Sequence, residues 1–274
     1  MDGVTIGMIL FFFGFLVLDT LRPARAFPKM KAWPLRGVLS FVFYAVLATA
    51  LPFVWDETLG QYRLIDATKL GTVGGAMVGI IVVEFISYGW HRAMHKSDFL
   101  WRWFHQMHHS SERIDVASTF IFSPLDIVGW TFVGSLGLVW ALGLTPQAAV
   151  LANVIAFGLA VFTHANIRTP QWVGYLVQRP ESHTVHHKRG VHTYNYSTLP
   201  VWDMLFGTFR NPKEFSGEVG FYDGASTRIK DMLLGRDVSA PVGEQAQSLI
   251  SGLVETQPGT ESKAPESQWS TQAV

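Results

Sequence analysis

The chain has 274 residues, no formal net charge and no cysteine. Hydrophobic residues make up 49% of it and charged residues only 15%, a balance that favours an integral membrane protein over a soluble globule. The absence of cysteine excludes disulfides, iron–sulfur clusters and thiolate ligands, and the zero net charge argues against a nucleic-acid-binding protein.

Five apolar stretches are long enough, or nearly long enough, to cross a bilayer as helices. They are residues 4–18, 35–54, 70–90, 125–144 and 147–163. The first could instead be a secretory signal, because Ala-Arg-Ala at residues 24–26 has the form of a cleavage site, but no positive charge precedes the apolar run and we expect an uncleaved anchor. In the third stretch, Gly71, Gly75 and Gly79 recur every four residues, a spacing that lets another helix approach closely. The sequence therefore predicts an all-α membrane bundle of four to five spans.

The loop after the first span is rich in basic residues, which places it in the cytoplasm. These residues are Arg22, Arg25, Lys29, Lys31 and Arg36. Counting spans forward brings the ends of the third and fifth spans to the same side. We therefore expect a cytosolic, histidine-rich helical cap on the bundle.

All ten histidines lie between residues 91 and 192, and eight of them form three short boxes. The boxes are His91 with His95, His105 with His108 and His109, and His183 with His186 and His187; His164 and His192 stand singly. Residues three or four apart share a helix face, so each box should direct its imidazoles one way. A protein metal site usually takes three or four such ligands, so two metals are the economical interpretation. Imidazole suits zinc, copper, iron and nickel alike.

Polar residues beside the first two boxes suggest how the local helices are built. Ser97 or Asp98 can cap a helix that begins with FLWRWFHQMHH. Glu84 continues the helical face of the first box, and an acid within a span is usually paired or functional. It could orient a liganding imidazole or pair with a basic or polar neighbour on another helix, and the sequence leaves both open.

The order of the boxes resembles the fatty acid hydroxylase and sterol desaturase superfamily of membrane di-iron enzymes, in a bacterial form. The resemblance extends over residues 70–212 and includes FTHAN at 162–166 and NYSTLPVWDMLFGTF at 195–209. It implies two iron ions, with zinc as a possible substitute, that use O2 and external electrons to hydroxylate or desaturate a C–H bond of a lipid such as a fatty acyl chain or sterol. With a bacterial form, we expect an inner-membrane protein, and the basic loop and the span count place its metal site on the cytoplasmic side.

The resemblance assigns roles by motif position. The implied metal ligands are His91, His95, His105, His108, His109, His164, His183, His186, His187 and His192. His192 stands just ahead of the position where the family often has an aspartate. It could be a tenth ligand, or it could contact one of the ligand histidines without binding metal itself. The residues expected to support the ligands are Glu84, Asn166, Asn195 and Asp203, the last two by closing the cap through hydrogen bonds. No catalytic residue is expected beyond the metal ligands.

The same reasoning divides the chain into four parts. Residues 1–69 form anchor helices, 70–212 the histidine-box catalytic domain, 213–237 an extension of the cap, and 238–274 a disordered tail with little apolar content. No fused cytochrome, flavin or ferredoxin module is recognisable, so we expect electrons from a separate ferredoxin- or cytochrome-type protein with its reductase.

Two other functions fit a histidine-rich membrane protein. A membrane zinc-dependent hydrolase would commonly pair the metal with a glutamate base, as in H-E-x-x-H, but no box here contains an acid. A haem- or metal-binding membrane protein would place two histidines per haem at depth in different spans. The particular lipid, the choice between hydroxylation and desaturation, and the oligomeric state are not specified by the motifs.

Overall fold

The structure, a computed structural model, describes residues 3–241 and 243 of the chain. Within these residues the protein is helical and contains no β-strand; one isolated antiparallel bridge joins Lys188 to Val219. The expected all-α class is confirmed. Residues up to Ser239 form one compact unit, and most of the predicted tail, residues 242 and 244–274, lies outside the described residues.

Five helical segments are long and apolar enough to cross a membrane, which confirms the five predicted stretches. They are α1 (Gly3–Leu21), α2 (Trp33–Ala50) continuing through Leu51 into α3 (Pro52–Gln61), α4 (Gly71–Lys96), α7 (Pro124–Ser135) continuing as a π-helical segment (Leu136–Ala141), and α8 (Pro146–His164). The second span is longer than the predicted 35–54. Pro52 does not end it, because proline is tolerated in the first turn of the helix that follows.

Shorter helices form the cap over one end of this bundle. They are α5 (Asp98–Leu100), a π-helical segment (Trp101–His105), α6 (Gln106–His109), α9 (Pro180–His186), α10 (Val201–Leu205) and α11 (Ile229–Leu233), with 3₁₀ turns at Val116–Ser118, Gln171–Tyr175 and Ala225–Thr227. A further 3₁₀ turn, Thr68–Leu70, directly precedes α4. Of the two predicted caps for the second box, Ser97 is the one used: its side chain accepts a hydrogen bond from the Leu100 amide at 3.4 Å.

The glycine repeat of the third predicted span lies where α4 crosses α8. A Cβ added at Gly75 would lie 2.9 Å from the Cβ of Ala148, and one at Gly79 would also lie 2.9 Å from a Leu138 methyl group. The predicted close approach is therefore confirmed at Gly75 and Gly79, with helices of the same chain as partners, but not at Gly71, where an added Cβ would have no neighbour within 4 Å. These contacts lie in the first turns of α4 and α8, and the histidines of the two helices lie toward their other ends.

Aromatic packing fixes the first two spans against this pair. Phe12 of α1 stacks on Phe41 of α2 with ring centres 4.2 Å apart, and Phe120 stacks on Phe157 of α8 at 5.5 Å. All four side chains are buried in one cluster. At the other side of the cap, Val238 is fully buried in a second cluster, so the segment that begins the predicted tail is packed at its first residue.

Candidate metal centre

Nine of the ten histidines converge into two groups in which the candidate ligand atoms lie within 4.8 Å of one another. Group A contains His91, His95, His105, His109 and His186, and group B contains His108, His164, His183 and His187. Every one of these side chains is buried except His95, which is partly exposed. Four separate parts of the chain (α4, the run through α6, the end of α8, and α9 with the residue after it) contribute to them.

The second and third boxes each serve both groups, so the expectation that a box points one way is wrong for them. His105 and His109 are four residues apart and share a face, which directs both into group A, while His108 enters group B. In the third box, His183 and His187 enter group B and His186 enters group A. Neighbouring helical residues diverge by about 100°. The two adjacent histidines at the end of each box therefore enter different groups.

Backbone carbonyls orient several of the rings. The Nδ1 atom of His91 lies 2.6 Å from the carbonyl oxygen of Tyr196, and that of His186 lies 2.8 Å from the carbonyl of Tyr194. His164 makes the same contact with the Ala160 carbonyl at 2.8 Å. A carbonyl oxygen only accepts, so Nδ1 carries the proton in each ring and Nε2 presents a bare lone pair.

The Nε2 atoms of neighbouring rings face one another at short range. Nε2 of His91 is 2.9 Å from Nε2 of His105, and Nε2 of His164 is 3.2 Å from that of His108 and 3.1 Å from that of His183. Because Nδ1 of His91 and of His164 carries the proton, the Nε2 atoms of these two rings can only accept. A separation of about 3 Å is that of neighbouring nitrogens about 2.1 Å from one cation at a right angle. The residues present therefore fit a pair of metal ions.

Burial keeps the cap histidines in the form that binds metal. Desolvation is the main cause that lowers the pKa of these rings well below its ordinary value, and neighbouring imidazoles lower it further. The rings outside the spans to which this applies are His105, His108, His109, His183, His186 and His187. Metal ligation requires the neutral imidazole. The buried Nε2 atoms of His109 and His186 also have no hydrogen-bond partner, as expected of atoms that face an ion.

The carboxylate behind group A is Asp126, which the sequence reasoning did not identify. Its Oδ2 lies 3.1 Å from Nδ1 of His105, and the exposed fractions of the two side chains are 0% and 1%. The sequence signal was ambiguous because Asp126 lies in the first turn of α7, where its amide is capped by Ser123. An acid at that position is usually explained by the helix dipole alone.

The carbonyls that orient His91 and His186 belong to a segment with left-handed backbone. Tyr194 and Asn195 have φ values of 72° and 52°. The Asn195 side chain donates to the carbonyls of Ser182 and Arg210 at 2.8 and 2.9 Å. It therefore closes the cap through hydrogen bonds, and it fixes the strained turn that presents the carbonyl oxygens.

Two carboxylates hold the residues that follow this turn. Asp203 accepts hydrogen bonds from the backbone amides of Tyr196 and Ser197, both at 2.9 Å. Glu84 accepts from the Ser197 hydroxyl and the Thr198 amide, both at 2.8 Å. Of the two possibilities left open for Glu84, the structure has the second, a polar neighbour from another part of the chain. It supports the metal centre indirectly, through the segment that orients His91.

Asn166 and His192 are placed outside the two groups. Asn166 exchanges hydrogen bonds with the backbone of Arg25 and so anchors the loop between α1 and α2. The ring centre of His192 lies 6.4 Å from that of His95 and 6.1 Å from that of His109, and His192 belongs to neither set of converging nitrogens. His192 therefore flanks group A.

A buried ion pair fixes α9 and was not foreseen. Arg179 is fully buried and lies 3.1 Å from the carboxylate of Glu181. Its guanidinium also donates to the Thr169 carbonyl at 2.6 Å and to the Asn211 side chain at 2.9 Å. Because every ion in this pair has hydrogen-bond partners, the pair can set the position of the helix that carries His183.

Comparison with known proteins identifies a family. The fatty acid hydroxylase family model matches residues 76–208. The chain is 32% identical over 141 residues to an ornithine lipid hydroxylase of Rhizobium tropici, covering 50% of this chain and 42% of that protein. It is 29% identical over 198 residues to human (Homo sapiens) alkylglycerol monooxygenase, covering 69% and 41%. It is 27% identical over 210 residues to a Delta(7)-sterol-C5(6)-desaturase of Nicotiana tabacum, covering 70% and 72%.

The chain spans about two fifths of the length of the first two of these relatives. No solved structure matches it. The matched residues 76–208 contain all ten histidines and the turn that orients them. Residues 76–208 are therefore a fatty acid hydroxylase domain, and the chain is similar to lipid hydroxylases, monooxygenases and sterol desaturases of that superfamily.

Proposed function

We propose that this protein is a membrane-bound, non-haem di-iron oxygenase that hydroxylates a C–H bond of a lipid. The observation that carries the proposal is the convergence of nine buried imidazoles into two groups of metal-ligand geometry. The ligands of one ion are the group A histidines and those of the other are the group B histidines. His192 is not a ligand, because it lies outside both groups.

The names of the relatives support the substrate class. They act on an ornithine lipid, an alkylglycerol and a sterol, all of which reach an enzyme from the bilayer. A hydroxylase and a monooxygenase among them favour hydroxylation over desaturation. In hydroxylation, one oxygen atom of O2 enters the C–H bond and the other leaves as water, with two electrons and two protons consumed. The electrons come from a separate protein of ferredoxin or cytochrome type.

The chain's own residues hold, orient and shield the reacting centre. When bound, two irons would supply the activation of O2 that an unactivated C–H bond requires. The Tyr194 and Tyr196 carbonyls hold the His186 and His91 rings in one tautomer. The Asp126 carboxyl group holds the His105 ring of group A through Nδ1.

Aromatic rings on both sides exclude water from the two groups. Phe122 lies 4.8 Å from His108 of group B, and Trp130 lies 5.4 Å from His91 of group A, measured between ring centres. Such rings provide an apolar boundary against which a lipid carbon can be positioned. A dry site also strengthens every electrostatic interaction within it.

The orientation and organisation of the protein follow from charge and packing. The basic loop between α1 and α2 faces the cytoplasm of a bacterial cell, and both metal groups lie at the same end of the bundle as this loop. Residues 70–212 form the catalytic segment, with residues 1–69 as its membrane anchor and 213–237 as an extension of its cap.

Metal analysis and lipid turnover test the proposal together. Purified protein should contain about two iron equivalents and show no Soret band, and with an electron donor it should consume O2 and convert a membrane lipid to its alcohol. A Soret band would indicate a haem protein instead. Zinc alone is not decisive, because overexpressed iron sites can take up zinc, so iron-reconstituted protein that consumes no O2 with any lipid extract would refute the oxygenase.

A further inference from the structure

A cavity of about 480 Å³ lies beside group B, where the loop between α1 and α2 folds over the cap. Its polar and charged lining residues are Asp19, Thr20, Arg25, Lys29, Arg113, Asp115 and Asn166. Asn166 follows His164 of group B by two residues. None of the ligand histidines lines the cavity, and Asn166 is the lining residue nearest to one of them in the chain.

The two carboxylates of this cavity are used within the protein. Asp19 accepts hydrogen bonds from the backbone amides of Val116 and Asn166 at 2.7 and 2.9 Å. Asp115 accepts from the guanidinium of Arg113, whose Nη2 is 2.6 Å away. These contacts keep the cavity in shape, because they tie α1 and the cap segment to fixed backbone positions.

The cationic side chains of the cavity, in contrast, have N–H donors that make no hydrogen bond within the described part of the protein. The Nε atom of Arg25 is buried without a hydrogen-bond partner. Lys29 is exposed, lines the cavity and makes no hydrogen bond or ion pair with any residue the structure describes. With Arg113, three cations face two carboxylates, which leaves the cavity with one uncompensated positive charge.

Arg25 also connects the cavity to the third histidine box. Its Nη2 donates to the hydroxyl of Thr184 at 2.9 Å, and Thr184 lies in α9 directly after His183. The guanidinium packs over the rings of Phe27 and Phe215 at 4.4 and 4.6 Å. A group bound to Arg25 is therefore held next to the helix that carries ligands of both groups.

We propose that this cavity binds the oxyanion, phosphate or carboxylate, of the lipid substrate's headgroup, an inference that rests on the proposed lipid oxidation. Arg25 and Lys29 supply the charge-assisted hydrogen bonds. The apolar lining from Leu16, Met30 and Trp33 accommodates the first carbons of the lipid. The substrate is thus a lipid that carries a negative charge at its head, and the site is distinct from the general attraction of basic loops to anionic membranes.

Binding of dodecyl phosphate to the purified full-length protein in uncharged detergent tests the site, with native mass spectrometry as the readout. We expect wild-type protein to bind one dodecyl phosphate and to bind dodecanol much more weakly. Lys29→Gln should weaken dodecyl phosphate binding at least about tenfold, since a hydrogen bond to a charged group is lost, and Lys29→Arg should restore it. Lys31→Gln is the matched control, because Lys31 is exposed on the same loop but does not line the cavity.

Two results would overturn the site itself. One is an equal loss of binding in Lys31→Gln and Lys29→Gln, which would indicate unspecific surface attraction. The other is displacement of dodecyl phosphate by an equal concentration of inorganic phosphate, which would indicate a site for free anions.

Turnover separates this inference from the proposed function. With an anionic lipid as substrate, Lys29→Gln should raise KM by a similar factor and leave kcat nearly unchanged. Wild-type protein that binds dodecyl phosphate but oxidises no lipid would refute the proposed function and leave only a lipid-binding cavity. Wild-type protein that turns over lipid, with an unchanged KM in Lys29→Gln, would refute the headgroup site alone.

Discussion

Replacement of Asp126 tests whether the buried carboxylate strengthens metal binding by group A. Asp126→Asn replaces the carboxyl group by an amide but keeps an oxygen that can accept from Nδ1 of His105, 3.1 Å away in the native protein. Both side chains are shielded from solvent, so water cannot replace the lost interaction. Carboxylates behind liganding histidines typically contribute 10–100-fold in metal affinity, so we expect a loss of about tenfold, or about 1.4 kcal/mol, for Asn. Asp126→Ala also removes the acceptor and should cost about a hundredfold, or about 2.7 kcal/mol.

The assay is the metal retained by purified protein as a competing chelator is titrated in. One of the two metal equivalents should be lost at a lower chelator concentration in Asp126→Asn than in wild type. The other should be unaffected, because Asp126 contacts a ligand of group A only. Asp66→Asn is the control: this exposed residue lies before α4 and bonds only to its own loop. If Asp126→Asn and Asp126→Ala both hold two equivalents as tightly as wild type, the carboxylate does not act on the metal.

Three further changes address the metal pair and the helix packing that supports it. His108→Ala and His186→Ala, one from each group, should each abolish lipid oxidation while the protein stays in the membrane fraction; turnover that survives both would contradict a shared metal pair. Removing metal by chelation should lower the midpoint of thermal unfolding, because a ligand at 100 times its Kd stabilises the folded state by about 2.7 kcal/mol; an unchanged midpoint would mean that no structural metal was bound. Gly75→Val should destabilise the protein by about 1–3 kcal/mol through overpacking, since even its Cβ would lie 2.9 Å from Ala148. Gly74→Val is the control, because its added Cβ has no contact closer than 3.7 Å, and equal unfolding midpoints for the two variants would contradict the proposed packing.

The spans and the histidine boxes were predictable because both depend on patterns along a single segment. Apolar length alone locates the five membrane helices, and the spacing of Gly75 and Gly79 identifies the face where two of them meet. Helical periodicity likewise brings His91 and His95 to one side of α4. It does not reveal how a box with two adjacent histidines divides between two metal positions, because that division depends on where the partner helices stand. The π-helical segment at Trp101–His105 is a further departure from regular periodicity.

The supporting residues were harder to predict because most of them act through the backbone. Every residue has a backbone carbonyl, so nothing in the sequence marks Tyr194 or Tyr196 as the acceptor for a ligand ring. What the sequence does contain is the scaffold that aims those carbonyls: Asn195 in a left-handed turn, with Asp203 and Glu84 holding the amides that follow. These three polar side chains lie in motifs or spans where an acid or amide destabilises the fold unless it has hydrogen-bond partners. Their common target is one short segment, and two ligands of group A depend on it, so the polar residues around the boxes explain the orientation of the imidazoles even though none of the three touches one.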